Sequence, residues 1–252
     1  MSAAQRAAPW PQAVLAQAKV ELVLTLRRGE SVLLTLGIPV LLLVFFSAVD
    51  VLPLPDGTED AIDFLTPGIL ALAVMSTAMV SLGIATGFER QYGVLKRLGT
   101  TPLGRRALLV AKTLAILVIE LIQVAVLAAV AVALGWRPDG SPLPALAAAL
   151  LATVGFAGLG LLLAGTLRGE VTLAAANGLY LVLLLLGGMV FPIDRLPGAL
   201  RSFAELLPAA ALSSALEGAL SASATVPGKS WAVLLAWAIA APALAGATFR
   251  WE

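Results

Sequence analysis

The 252 residues are 60% hydrophobic and only 12% charged, with a mean hydropathy of +0.99, which excludes an ordinary soluble domain, where about a quarter of residues are charged. With no cysteine and no histidine, the chain has no disulfide, thiol nucleophile, His-ligated metal or imidazole base, and its net charge of +1 makes no case for nucleic acid. It reads as an integral membrane protein.

The first 30 residues carry charge through their middle and lack the apolar core and cleavage signal of a signal peptide. From Gln12 to Arg28, Val14, Leu15, Ala18, Leu22 and Leu26 recur at short helical steps, which predicts a helix lying in the membrane interface. Six apolar runs follow, at 31–49, 67–88, 107–134, 145–167, 171–191 and 230–249. Each is near the roughly 20 residues a spanning helix needs and too continuously apolar for a barrel strand. The expected fold is all-α: a single polytopic domain, 1–252, with six transmembrane helices. Its parts are an interfacial helix in 1–30, spans one to five in 31–191, short outer helices in 192–229, and span six with a tail in 230–252.

Six spans put both termini on one side. Twelve of the sixteen basic residues then share that side, against Arg137, Arg195, Arg201 and Lys229 on the other. The positive-inside rule places the termini in the cytoplasm and the chain in the cytoplasmic membrane.

The second run contains Gly83 and Gly87, spaced to let helices approach closely. Beyond it lies GFERQYGVLKRLGTTPLGRRALLVAK, residues 87–112, with six of the sixteen basic residues. Tyr92, Leu95 and Leu98 on one face, with Arg90, Lys96 and Arg97 on others, predict a short amphipathic helix from Glu89 to Leu98. Gly99 is placed to end it, and Thr101 and Pro102 to start the next helix. Such a helix, held between two spans, suits docking into a groove on a partner.

Glu120 is the sole carboxylate well inside a span, so it is expected to face the bundle, a dimer seam or water. Two roles stay open for it: a pathway residue meeting a cationic substrate, or a hydrogen-bonded packing residue. Gln123, one turn on, shares either role, and Asn177 reads as interhelical glue, with a substrate contact as the alternative. Trp10, Trp136, Trp231 and Trp251 fall near span ends and read as interfacial anchors.

After Gly187, Gly188, Phe191 and Pro192 at the outer end of span five, Leu196, Leu200, Phe203 and Leu207 share one helical face. Leu212, Leu216 and Leu220 share another beyond Pro208, so two short outer helices are predicted. A nucleotide-binding loop is missing: the trace at Gly228-Lys229-Ser230 has Ser223 where its first glycine belongs.

The segment from Phe88 to Lys112 resembles the region between spans two and three of ABC-2 type permeases, particularly the drug-exporter branch, in its acidic–basic pair, Gly, Leu-Lys, Leu, Thr-Pro-Leu and later Lys. Residues 186–220, LGGMVFPIDRLPGALRSFAELLPAAALSSALEGAL, are similar to the family's region after span five. The resemblance implies a cytoplasmic coupling helix, with Glu89, Arg90, Tyr92, Gly93, Leu95, Lys96, Arg97 and Leu98 as the contact to an ATPase subunit. It implies outer re-entrant helices, with Gly187, Gly188, Phe191 and Pro192 at an outer gate. Function is expected as a permease subunit in efflux or drug resistance, without catalytic or metal-binding residues. ATP and magnesium would sit on two copies of a soluble ATPase, and a second permease, as a homodimer, would complete the unit. The rival reading is an ATPase-independent carrier or channel, for which an ionisable relay and repeated halves would be expected; one buried Glu and no visible repeat argue against it.

Overall fold

A computed structural model describes residues 9–27, 29–49, 61–101, 103–189, 193–221 and 225–250. Among these, every regular element is helical. The order is α1 (Trp10–Arg27), α2 (Gly29–Ala48), α3 (Ala61–Met75), a π turn (Ser76–Ser81), α4 (Leu82–Gln91), α5 (Val94–Gly99), α6 (Arg105–Ala133) and α7 (Pro142–Thr166). Then come α8 (Gly169–Leu186), a 3-10 turn (Ile193–Arg195), α9 (Gly198–Ala204), α10 (Pro208–Leu220) and α11 (Gly228–Thr248).

Helix α3, the π turn and α4 form one rod of 30 residues, Ile62–Gln91. With α6, α7, α8 and α11 it makes five helices long and apolar enough to cross a membrane. The 20 residues of α2 carry the first apolar run, and within them Thr35–Ala48 is a shorter apolar helix. Thus the chain is an all-α, multi-pass membrane protein. The bundle has two ends: a near end, where α4 leads into α5, and a far end, where α8 stops and α11 begins.

Helices α9 and α10 meet at 83°. Pro208, at the first turn of α10, is tolerated there because its missing N–H would have no partner anyway. The last carbonyls of α10 are met from the α6–α7 connection: Ser141 N–H donates to Ala219 O at 2.9 Å and Gly140 N–H to Leu220 O at 3.2 Å. Both ends of the pair therefore lie at the far end, a re-entrant hairpin between α8 and α11.

The main core surrounds α7, whose buried positions are mostly small: Ala148, Ala152, Ala157, Gly160 and Ala164. Such residues let backbones approach where lipid offers no hydrophobic drive to association. A Cβ on Gly160 would stand 2.5 Å from the Met79 carbonyl oxygen, so α7 touches the backbone of the π turn itself. Gly83 faces Gly160 of α7 and Gly87 faces Thr172 of α8; the two glycines serve different neighbours. A second cluster closes the near end, joining Val14 and Ala18 of α1, Leu95 of α5, Leu108 and Ala111 of α6, and Phe249.

Three local expectations are corrected. The helix predicted over Glu89 to Leu98 is two pieces, because α4 runs on to Gln91 and α5 starts only at Val94. Helix α6 is capped at Gly104 and begins at Arg105. Thr101 instead ends the preceding turn, its hydroxyl donating to Leu98 O at 2.5 Å and accepting the Leu103 N–H at 3.3 Å, while Pro102 lies outside the described residues. Trp136 is buried in the core and lines a far-end cavity, so it is no interfacial anchor; Trp251 lies outside the described residues.

Candidate functional site

At the near end the chain turns through Tyr92 and Gly93. The Tyr92 and Gly93 N–H groups donate to Phe88 O at 2.9 Å and Arg90 O at 3.0 Å, closing the last turn of α4. Gly93 then adopts φ 72°, the left-handed conformation that costs glycine nothing. This turn releases α5 at a new angle. Leu95 is fully buried in the near-end cluster and Leu98 packs against it, while Lys96 and Arg97 are exposed in the last turn, where cations suit the helix dipole.

Arg90 does not share that surface. Its Nη1 and Nη2 donate to Gly165 O at 2.6 Å and Leu167 O at 2.7 Å, capping the end of α7. Glu89 likewise points inward. Lys112, with 2% of its side chain exposed, donates to Glu89 Oε2 at 2.6 Å and to Glu21 Oε2 at 2.9 Å, and Gln17 donates to Glu21 Oε1 at 2.8 Å. Three helices, α1, α4 and α6, are thus pinned by one buried ammonium. Sequence reasoning missed this triad, although a lysine seven residues into α6 signals that a partner must exist.

The triad closes one end of a groove of about 690 Å³ between α1 and α2 on one side and α4 and α8 on the other, with Ala115 and Ile116 of α6 among its lining residues. Phe88 and Tyr92, stacked with centroids 6.0 Å apart and planes at 19°, line the same end. Further along, the apolar wall is broken by Thr25, Thr35, Ser76, Ser81 and Asn177. Asn177 Nδ2 donates to Leu173 O of its own helix at 2.9 Å, and the residue lines the groove.

Deeper in the bundle, Gln123 accepts from Thr77 Oγ1 at 2.9 Å and donates to Thr35 O at 2.6 Å, tying α6 to the π turn and to α2. Glu120 accepts from the Thr153 hydroxyl of α7 through Oε2, and its Oε1 is buried without a partner among the described residues. Both side chains are enclosed within the one chain and line neither cavity. Of the two roles left open for Glu120 and Gln123, this enclosure favours the hydrogen-bonded place inside the helix packing.

The far end holds an open cavity of about 850 Å³ beneath the re-entrant hairpin. Arg201 bonds Asp194 and Glu205, both at 3.0 Å, and Lys229 bonds Glu205 at 2.5 Å. The hydrogen bonds from Lys229, first, and from Arg201 hold the partly exposed Glu205 carboxyl below its usual range. Glu217 is largely enclosed: desolvation pushes it up to about 7, with Asp194 adding and the Ser213 hydrogen bond opposing. Gly187 ends α8, and Gly188, at φ 71°, lines the cavity; Phe191 and Pro192 lie outside the described residues.

The family model for the ABC-2 type transporter matches residues 12–220, most of the chain and all the elements from α1 to α10. The chain belongs to the ABC-2 type transporter family. No curated protein matches it. As an ABC-2 permease domain it is a transmembrane component, in a family whose permeases carry no ATPase site and generally pair with an ATPase subunit.

In this ABC-2 chain six of the eight predicted near-end residues divide into three pairs, while Tyr92 and Gly93 form the turn between α4 and α5. Leu95 and Leu98 anchor α5, Lys96 and Arg97 face outward, and Glu89 and Arg90 hold the bundle together.

Proposed function

We propose that the protein is the permease subunit of an exporter, moving a hydrophobic or amphiphilic molecule outward across the cytoplasmic membrane. Two copies of a soluble ATPase, holding ATP and magnesium, drive a dimer of permeases. The near end faces the cytoplasm, as the distribution of basic residues supports. The observation that carries the reading is α5: a six-residue helix fastened to the bundle by buried Leu95, with Lys96 and Arg97 outward, between two spanning helices.

The mechanism follows from those attachments. When ATP draws the ATPase subunits together, α5 moves with its groove. Leu95 passes that displacement to α1 and α6 through the near-end cluster, and Gly93 accommodates the angle between α5 and α4. ATP binding shifts the balance only by contacting the two states of α5 differently.

The test is to purify the tagged chain from its native membrane in mild detergent. A stoichiometric soluble ATPase is expected, and Lys96→Glu with Arg97→Glu should lower its recovery at least about tenfold, the cost of like charges in a docking surface. A lone oligomer without ATPase, or recovery indifferent to both reversals, would overturn the reading.

A further inference from the structure

The groove beside the triad has an electrostatic character that pathway geometry alone does not require. Among the described residues its charged lining is Glu21, Glu89 and Lys112, two carboxylates against one ammonium, for a local charge of −1. Lys112 is spent: it is almost wholly enclosed and already bonds both carboxylates. The carboxylates keep 13% and 18% exposure and border the open volume. Against the same end stand the stacked rings of Phe88 and Tyr92, whose faces attract cations. Carboxylates and aromatic faces together are the chemistry that holds an ammonium or phosphonium head, whereas an anionic head would meet net repulsion. Beyond them the wall is apolar with scattered hydroxyls, and about 690 Å³ lies in the range of sites for drug-sized ligands, roughly 300–1,000 Å³.

We propose that this groove is a binding site for a cationic amphiphile, its head between Glu21, Glu89 and the Phe88–Tyr92 pair and its apolar body along α4 and α6. The assignment rests on the exporter reading and narrows its cargo. An amphiphile of the inner leaflet carries its head at the near-end surface, the level of the carboxylates, with its apolar body toward the bundle interior.

The probe pair is tetraphenylphosphonium and tetraphenylborate, matched in shape and opposite in charge, offered to the full-length permease in lipid nanodiscs. Saturable binding of the cation is expected, with none of the anion. Glu21→Gln and Glu89→Gln should each weaken it about tenfold, as loss of one charged partner does. Tyr92→Leu should weaken it about fivefold, in line with one cation–π contact. That side chain is 72% exposed and outside the ion pairs, so the variant keeps the test informative if a carboxylate variant fails to fold. Equal saturable binding of the anion, or wild-type affinity in Tyr92→Leu and whichever carboxylate variants fold, would overturn the site. ATPase recovery dependent on Lys96 and Arg97, found without cation binding, would remove the cargo assignment and leave the exporter reading standing.

Discussion

The two ends of the bundle use the same ionisable side chains to different effect. At the near end one ammonium, 2% exposed, lies between two half-buried carboxylates; at the far end Lys229 and Arg201, 54% and 45% exposed, reach Glu205 across an open cavity. Distances are alike, 2.6–2.9 Å against 2.5–3.0 Å, so geometry does not separate them. Solvent does. Lys112 has exchanged its hydration for two carboxylates and cannot be left without them, whereas the far-end groups remain partly hydrated with or without partners.

Breaking the near end should have the largest effect. Lys112→Met leaves Glu21 and Glu89 facing each other without their cation and should cost about 3–5 kcal/mol, the range for an orphaned buried charge. Replacing all three residues by Glu21→Gln, Glu89→Gln and Lys112→Met should recover most of that loss, since the cost lies in unpaired charge. Thermal unfolding in nanodiscs reads both variants. A single substitution that unfolds like the parent would mean that water reaches Lys112.

A smaller effect, opposite in its pH sense to that of an ordinary ion-paired acid, belongs to Glu217. Its carboxyl titrates near 7 in the fold against an ordinary 4.5, so the native state holds the proton more tightly than the unfolded chain. The contribution is complete below about pH 4.5 and is lost as pH rises through about 7; it amounts to at most about 3 kcal/mol. Glu217→Gln should flatten the fall in unfolding temperature across that window and leave the variant more stable than the parent at pH 8. An unchanged pH slope would show that the cavity is wetter around Glu217 than its enclosure implies.

The contrast also explains what could be read in advance. Span positions and the re-entrant hairpin were legible, because apolar run length and the Pro208 boundary act locally on the backbone. The triad was not: Lys112 is 91 residues from Glu21 and 23 from Glu89, and no periodicity reports which charges the fold will bring together. The π turn at Ser76–Ser81 was equally silent, since its six residues contain neither glycine nor proline. Gly93 was visible as part of the coupling segment, but the turn it makes was hidden because Tyr92, Leu95 and Leu98 also satisfy a continuous helical face.

The smallest expected effect gives the sharpest test of the contrast. Lys229→Ala deletes the 2.5 Å bond to Glu205, the first cause of that carboxyl's lowered pKa. Yet Lys229 also stands in the first turn of α11, where the helix dipole disfavours a cation, so its removal relieves one unfavourable term while losing a favourable one. Arg201 still bonds Glu205, and salt screens the exposed pair. The two contributions are of similar size and opposite sign, so the unfolding temperature should stay within about 2 °C of the parent at low and at moderate salt. A loss comparable with that of Lys112→Met would mean that the far-end cavity closes over these side chains in the membrane, and that burial, not position in the chain, had again set the scale.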